Sequence, residues 1–394
     1  MSKILALLSG KGGSGKTTLA LSIASMLSEC RLKVLLVDCD LSTNGATYFY
    51  EEKLAENTNE ISSFYNLFIG DTNDDSYKLR KVIKIDEYMD FMPSIVKITK
   101  LNSESYRYRE QDLKKVDKID KKLRDEYDVI IYDCQAGYTD ILKLLLPYVD
   151  INLVVMEADA ISSAAIRSFY LKVGNLLNDK KIYQIFNKAT DEEYEIYSKI
   201  SGGTVFTNIE TVMFDWKIRK AFSVAQIPDM KKTSARYGEQ VYNICKVLFK
   251  DEKIQEGLKK YEFVIKINRK SEEESNLRDK IEAQFSNEQY RKSQFYRKMY
   301  TVSLVALFST TMVFIIFNKE ILNKTPVTDT NKIVFFIFLV ILILYMMLSI
   351  FLLNYVTKDK RTRARMVEMD QRKLNKVLKE KTELQSQLNK IEKS

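Results

Sequence analysis

A cluster of glycines near the start of the chain constrains its fold more than any other feature. Four of the twelve glycines lie within residues 10–15, and Lys16 and Thr17 follow them directly. The segment fits the pattern G-x-x-x-x-G-K-[ST] and lies between an apolar run, Ile4–Leu8, and a stretch of helical character, Lys16–Leu27. A strand, a glycine-rich loop and a helix in this order predict a P-loop, and we favour that interpretation over a chance glycine turn.

The residue types of this loop suit the phosphates of a nucleotide. Glycines let the backbone come close, so successive N–H groups and the helix N-terminus can face phosphate oxygens. Lys16 would reach the β- and γ-phosphates, and the Thr17 hydroxyl would bind Mg²⁺. The predicted phosphate-binding residues are Gly10, Gly12, Gly13, Ser14, Gly15, Lys16, Thr17 and Thr18.

The first 250 residues alternate short apolar runs with amphipathic stretches. Such runs are expected for strands that are covered by helices on both faces of a sheet. We therefore predict an α/β fold with a mostly parallel sheet over residues 1–250. The later apolar runs that indicate strands are Val34–Val37, Val129–Tyr132, Ile151–Met156 and Ile182–Phe186.

Two residue types restrict the chemistry that the chain can carry out. It contains no histidine, which excludes imidazole general bases, Ser-His-Asp and Cys-His sites, and zinc bound by histidine. Its four cysteines are too far apart for a C-x-x-C pair and suit a reducing compartment. They are Cys30, Cys39, Cys134 and Cys245.

The net charge of +9 belongs to the last third of the chain. Residues 1–250 carry 35 basic and 35 acidic side chains, whereas residues 251–394 carry 27 basic and 18 acidic ones. The charge therefore indicates at least two physical units, and it does not favour nucleic acid binding by the first of them.

The last third contains two long segments without charged residues. A charged helical stalk is expected over 251–298, and the apolar stretches 300–317 and 333–356 follow. At about 1.5 Å per residue each stretch is long enough for a hydrocarbon core of about 30 Å. We therefore expect a transmembrane hairpin over 299–357 in preference to a buried helical hairpin.

Basic residues flank both predicted spans more densely than the loop between them. This asymmetry predicts a multi-pass protein of the inner membrane, with membrane lipid as a partner and both large parts in the cytoplasm. The basic tail, 358–394, repeats a heptad pattern with two polar residues, Asp370 and Lys381, among its a and d positions. We expect a coiled coil there.

Several motifs together resemble those of the ParA/MinD family of ATPases. Lys11 stands at the start of the glycine loop, as in the family's deviant Walker A motif. Asp38 and Asp40 follow the second apolar run, and Asp133 ends a run that resembles the family's Walker B motif. Asn187 resembles the strand-end asparagine that contacts adenine. The resemblance covers roughly residues 1–250 and implies a P-loop NTPase fold that binds ATP and Mg²⁺.

The resemblance also implies roles for these residues. Lys11, Lys16 and Asp40 would be catalytic, Lys11 by crossing a dimer interface to the partner's phosphates and Asp40 by positioning the attacking water. Asp38 and Asp133 would hold Mg²⁺ together with Thr17. A homodimer or higher oligomer is therefore expected, with an unidentified protein as a further partner.

The leading hypothesis is a membrane-anchored ATPase switch that recruits, positions or gates a partner at the cytoplasmic face of the membrane. The first alternative is a nucleotide-gated membrane scaffold or pore effector with little turnover, for example in phage defence. The second, less favoured alternative is a tyrosine autokinase of polysaccharide export. In that family the membrane helices usually precede the ATPase domain, and tyrosines cluster at the C-terminus.

A group of basic residues resembles in position the surface that DNA-partitioning relatives use for DNA. In a domain with no net charge, such a group is more often a solvated surface, so nucleic acid is a less favoured partner. The group consists of Lys217, Arg219, Lys220, Lys231, Lys232 and Arg236.

Overall fold

The fold was analysed in a computed structural model of the chain. It describes residues 2–55, 61–69, 81–95, 107–177, 180–199, 205–226, 230, 233–286, 288–322 and 329–393. The chain divides into two units. The first comprises residues 1–269 together with 384–394, and the second comprises residues 270–383.

The first unit is built on a sheet of eight strands in the order β3-β4-β2-β5-β1-β6-β7-β8. All neighbouring strands are parallel except β3 and β4, which are antiparallel. The strands are β1 (Lys3–Leu8), β2 (Val34–Cys39), β3 (Ile83–Lys84), β4 (Met89–Met92), β5 (Val129–Cys134), β6 (Ile151–Glu157), β7 (Ile182–Ala189) and β8 (Phe206–Met213). The predicted parallel sheet and its apolar runs agree with this arrangement.

Twelve α-helices occur among the described residues. They are α1 (Lys16–Glu29), α2 (Gly45–Tyr48), α3 (Glu51–Ala55), α4 (Glu110–Glu126), α5 (Asp140–Leu145), α6 (Ala160–Val173), α7 (Asp191–Tyr197), α8 (Trp216–Ser223), α9 (Ala235–Leu248), α10 (Glu252–Ser286), α11 (Glu288–Leu322) and α12 (Asp329–Lys393). A π-helical turn covers Tyr65–Ile69, and 3₁₀ turns cover Leu146–Tyr148 and Gly174–Leu176.

Helices cover both faces of the sheet, as the continuous apolar strands require. Alternate residues of each strand point to opposite faces, so β1 contributes Leu5 and Leu7 to one core and Ile4, Ala6 and Leu8 to the other. The first core contains α1 and α9, and the second contains α4, α5 and α6. This arrangement holds the carboxyl ends of β1, β2 and β5 side by side.

In the second unit, α10 and α12 run antiparallel and are joined by ion pairs. Lys270 lies 2.6 Å from Glu380, Lys381 lies 2.9 Å from Glu274, and Lys280 lies 3.6 Å from the buried Asp370. The two polar residues of the predicted heptads thus face α10, beside the buried Leu374 and Val377.

The predicted transmembrane helices are wrong. Among the described residues, no helix combines the length and the apolar character that crossing a bilayer requires. The stretches 300–317 and 333–356 lie inside the longer helices α11 and α12, which also carry charged residues. Residues 323–328, in the predicted connecting loop, lie outside the described residues.

Two described contacts join α11 to α12 in this region. The buried hydroxyls of Ser303 and Ser349 are 3.2 Å apart, and the rings of Tyr296 and Tyr355 are 5.1 Å apart. One of these contacts lies inside both apolar stretches, and the other joins Tyr355 to Tyr296, which precedes the first stretch. The predicted inner-membrane location, with membrane lipid as a partner, rested on the two spans and is not supported.

Candidate functional site

The glycine-rich loop connects the end of β1 to the start of α1, as predicted. Gly13 and Gly15 have φ angles of 81° and 92°, which side chains with a Cβ rarely adopt. The buried Ser14 hydroxyl has no hydrogen-bond partner in the described residues. The loop therefore needs its glycines and leaves one polar group free to bind a ligand.

Lys16 is buried at the beginning of α1. Its ammonium group donates to the Ser9 hydroxyl at 2.7 Å. Burial lowers the pKa of Lys16, and the carboxylate of Asp133 opposes this change. A lysine that is buried with so few partners has capacity for an anion.

Asp38 and Asp133 lie opposite each other on the neighbouring strands β2 and β5. Asp38 accepts hydrogen bonds from the backbone of Asp40 at 3.0 Å and from the backbone and hydroxyl of Thr47 at 2.8 and 2.7 Å. Burial, followed by the charge of Asp133, raises the pKa of Asp38 to about 7. Both oxygens of Asp38 are therefore engaged with protein groups.

Asp133 is the less satisfied of the two carboxyl groups. Burial raises its pKa to about 6, although a hydrogen bond with Thr17 and the charge of Lys16 act in the opposite direction. Its Oδ1 atom is buried and has no hydrogen-bond partner in the described residues. An unpaired carboxylate oxygen beside a hydroxyl and a second carboxylate is a suitable ligand for a hard cation.

Asp40 follows β2 and is held in a turn by the next residues. One oxygen accepts from the backbone and hydroxyl of Ser42 at 3.0 and 2.7 Å, and from the backbone of Thr43 at 3.0 Å. The other accepts from the Thr43 hydroxyl at 2.7 Å. Burial alone would raise the pKa of Asp40, but these hydrogen bonds outweigh it and lower the pKa, so the side chain is ionised at neutral pH.

A cavity of about 480 Å³ opens beside the loop. Two of its walls are formed by parts of the predicted site: the glycine loop and the turn at Asp40. Of the predicted residues, those that line it are Gly12, Gly13, Gly15, Lys16, Thr17, Thr18, Asp40 and Asn187. Its size and its mixed polar and apolar lining suit a nucleotide.

Asn187 lies at the end of β7 and is packed against the loop. Its side-chain amide donates to the carbonyl oxygen of Ser14 at 2.8 Å, and the side chain is 7% exposed. The neighbouring Lys188 donates to the carbonyl oxygen of Gly13 and pairs with Glu157 at 2.9 Å. The structure thus brings Asn187 to the cavity and to the loop at once.

Lys11 points to carboxylates of its own chain. Its ammonium group lies 3.1 Å from Glu157 and 3.2 Å from Asp159, at the end of β6 and the start of α6. Glu157, and then Asp159, raise the pKa of Lys11. Hydrogen bonds from Ser162, together with the contact with Lys11, lower the pKa of Asp159 to about 2.

The third wall of the cavity was not predicted as part of the site, and only its Arg219 was singled out, in the basic group. It is formed by the end of β8 and by α8, through Met213, Phe214, Asp215, Ile218, Arg219 and Phe222. The Arg219 guanidinium lies 6.0 Å from the ring of Phe214 and 5.8 Å from that of Trp216. In the sequence, this wall is marked by an aromatic residue and an acidic residue directly after a strand. The motif of the glycine loop does not indicate these residues.

Two residues of the predicted basic group have other contacts in the first unit. Arg219 lines the cavity, and Arg236 pairs with Asp191 at 2.9 Å and lies 4.6 Å from the ring of Tyr194. Lys231 and Lys232 lie outside the described residues.

Comparisons with known proteins show what the chain is similar to. A family model described as an AAA domain matches residues 2–185. An uncharacterized ATP-binding protein of Methanocaldococcus jannaschii is 29% identical over 160 residues, which are 40% of this chain and 54% of that protein. The chain therefore spans about half the length of this relative.

Two further relatives are plasmid proteins. A virulence plasmid ParA family protein of Chlamydia psittaci is 29% identical over 280 residues, which are 65% of this chain and 100% of that protein. The solved structure of a putative plasmid partition protein from Borrelia burgdorferi, bound to AMPPNP, shares the fold. Its TM-score is 0.51 at 23% identity, over 63% of this chain and 98% of that one. The chain is thus similar to an ATP-binding protein and to a ParA family protein, and it shares the fold of a plasmid partition protein.

Proposed function

We propose that the chain is a Mg²⁺-dependent ATPase that dimerises when ATP is bound and uses this cycle to recruit or position a protein partner. The observation that carries the proposal is the convergence of Lys16, Thr17 and Asp40 on one cavity beside a glycine loop. A buried lysine with capacity for an anion, next to an ionised carboxylate, suits phosphoryl transfer to water.

The loop and Lys16 would hold the phosphates. The backbone N–H groups of the glycines and the free hydroxyl of Ser14 would donate to phosphate oxygens, and the ammonium group of Lys16 would balance their charge. Asn187, at the side of the loop, would hold the adenine end of the ligand. Asp40 would orient the attacking water, since hydrogen bonds keep it ionised.

Mg²⁺ fits the residues that are present. Thr17 and the free oxygen of Asp133 would hold it, and Asp38 would act through water because both of its oxygens already accept hydrogen bonds. Among the described residues, no group of three or more acidic, cysteine or histidine side chains could hold a metal alone, so phosphate oxygens and water would complete the site. When bound, the ion would neutralise charge on the phosphates.

Dimerisation would require Lys11 to change partners. In the single chain it is held by Glu157 and Asp159, both of which carry depressed pKa values and are ionised at neutral pH. The phosphates of ATP bound to a second chain would offer Lys11 more negative charge than these two carboxylates. Lys11 would thus join the two sites only while ATP is present.

ATP turnover and crosslinking test this proposal. Lys16→Ala should abolish ATP binding, whereas Lys172→Ala, an exposed lysine on α6, should leave turnover unchanged. Asp40→Ala should bind ATP without hydrolysing it and accumulate as a crosslinkable dimer, and Lys11→Ala should not dimerise. If Asp40→Ala forms no dimer that depends on ATP, the switch is excluded.

A further inference from the structure

The turn that carries Asp40 has an exposed middle and a buried end. The backbone N–H of Asn44 donates to the carbonyl oxygen of Asp40 at 3.0 Å, which closes the turn. Between these two residues, Ser42 and Thr43 are exposed and line the cavity. Asn44 is only 9% exposed, so the far end of the turn meets the body of the fold at this residue.

Asn44 has a left-handed backbone conformation, with φ 51° and ψ 38°. Asparagine tolerates this conformation better than most residues with a Cβ atom. Its Oδ1 atom accepts from the hydroxyl of Ser94 at 2.6 Å, across 50 residues of the chain. The side chain that ends the Asp40 turn is therefore held by a residue from another part of the sequence.

Ser94 is itself held firmly just after β4. It is fully buried, and its backbone N–H donates to the hydroxyl of Thr47 at 2.9 Å. Its carbonyl oxygen accepts from the backbone N–H of Tyr65 at 3.0 Å. Because the backbone of Ser94 is fixed on both sides, its hydroxyl offers Asn44 a partner at a fixed position.

The two carboxylates of the site depend on different groups of Ser94. The Thr47 hydroxyl donates to Asp38 at 2.7 Å, and the backbone N–H that holds this hydroxyl does not require a serine. The hydroxyl oxygens of Thr47 and Ser94 are also 2.9 Å apart, but each hydroxyl already donates its single proton elsewhere. Only the contact with Asn44, and through it the Asp40 turn, requires the serine side chain.

The effect of removing this hydroxyl should be local. Ala46, in α2, is buried in the first core and anchors the chain directly after the turn. The described residues that line the cavity include neither Ser94 nor Asn44. Loss of the hydroxyl should therefore leave the fold and the contacts with a ligand in place, and change mainly the position of the Asp40 turn.

We propose that Ser94 is a positioning residue for hydrolysis: its hydroxyl holds Asn44, and Asn44 holds the turn in which Asp40 faces the cavity. This inference rests on the proposed function, in which Asp40 orients the attacking water. Ser94 itself does not contact the reacting atoms. Its contribution belongs to the rate of hydrolysis and not to the binding of ATP or Mg²⁺.

Steady-state ATP turnover by the whole chain measures this contribution. Ser94→Ala should lower kcat by about tenfold, the size of one hydrogen bond, and leave the KM for ATP and the Mg²⁺ concentration at half-maximal rate within about twofold. Ser63→Ala is the matched control. Ser63 is also fully buried, and its hydroxyl accepts from the backbone of Asn66 at 3.3 Å, outside the Asp40 turn. Its kcat should stay within about twofold of the unmodified chain.

Asn44→Gly tests the same connection from the other side. Glycine adopts the left-handed conformation freely, so this variant removes the side chain without opposing the backbone. It should lower kcat as Ser94→Ala does. The double variant should be no slower than the slower single variant, because both substitutions remove the same contact. If Ser94→Ala does not fold, the criteria for kcat, KM and dimer yield apply to Asn44→Gly alone.

Crosslinking separates positioning from a general loss of structure. A variant that binds ATP and hydrolyses it slowly should accumulate as the ATP-dependent dimer, as expected for Asp40→Ala, whereas a damaged fold would lower the dimer yield. The positioning role would be overturned, with the proposed function intact, by a kcat for Ser94→Ala within about threefold of the unmodified chain, by a KM raised more than about twofold, by a lower dimer yield, or by losses that multiply in the double variant. An unmodified chain that does not hydrolyse ATP would refute both.

Discussion

Gly10 offers the sharpest test of how the glycine loop is held in place. A Cβ atom added to Gly10 would lie 2.5 and 2.6 Å from the carbonyl carbon and oxygen of Ala165, and 2.7 Å from the backbone nitrogen of Ile166. All three neighbours belong to the backbone of α6. No side chain can therefore rotate away, and the loop and α6 would have to separate.

The size of this separation sets the expected loss of stability. Ordinary carbon contacts are about 3.5–4.0 Å, so the substitution Gly10→Ala needs a shift of about 1 Å. Overpacking of this kind lowers the free energy of unfolding by about 1–3 kcal/mol. For a unit of this size, 2 kcal/mol corresponds to a fall in Tm of about 4–8 °C.

Thermal unfolding measured by circular dichroism, without nucleotide, checks this value. Gly12→Ala is the control, because a Cβ atom on Gly12 would meet no atom within 4 Å. Its Tm should stay within about 1 °C of the unmodified chain, although the added methyl group would hinder phosphates, since Gly12 lines the cavity. Equal Tm values for the two variants would refute the steric argument and show that α6 moves freely against the loop.

Two other perturbations test separate parts of the first unit. Arg124→Met should lower the free energy of unfolding in urea by about 2 kcal/mol, allowing for the partial exposure of Asp150. The substitution removes a guanidinium that lies 2.9 Å from Asp120 and 2.8 Å from Asp150. Arg124→Lys, which keeps a positive charge, is the control. If Arg124→Met lowers the free energy of unfolding no more than Arg124→Lys does, the reasoning is contradicted. Chelation of Mg²⁺ by EDTA should abolish ATP turnover and leave the Tm of the nucleotide-free chain unchanged. Turnover that persists in EDTA would exclude the role of Thr17 and Asp133 as metal ligands.

The sequence was informative wherever neighbours in the fold follow from a local pattern. The glycine loop, its strand and its helix form one continuous segment, so their order was enough to predict the phosphate end of the cavity. Asp38 and Asp133, which the resemblance assigned to one Mg²⁺, lie side by side because parallel strands align their carboxyl ends.

Contacts between distant segments could not be predicted in this way. Lys11 lies beside Glu157 because β1 and β6 are neighbours in the sheet, and no local pattern contains this strand order. The α8 wall includes Asp215, whose carboxylate caps α8 and accepts from the hydroxyl of Ser234, and each residue alone looks like an ordinary helix cap. Asn187 was found through a resemblance to a family, and its contact with Ser14 became visible only in the fold.

The apolar stretches of α11 and α12 show why hydropathy alone misled the prediction. An uncharged stretch of about 20 residues satisfies the length criterion for a membrane span whether its neighbours are lipid chains or another helix. The hydroxyls of Ser303 and Ser349 are the local sign of a helix partner, because each needs a hydrogen-bond partner when it is buried. A criterion based on length and charge does not use this sign, so it could not distinguish the two cases.

Two polar residues in the heptads of α12 could also not be interpreted from their residue type alone. Asp370 and Lys381 weakened the predicted coiled coil when each was judged by its residue type. In the fold, each faces an oppositely charged residue of α10, Lys280 and Glu274. A shift of one heptad would separate both pairs, so these ion pairs favour a single alignment of the two helices over its neighbours.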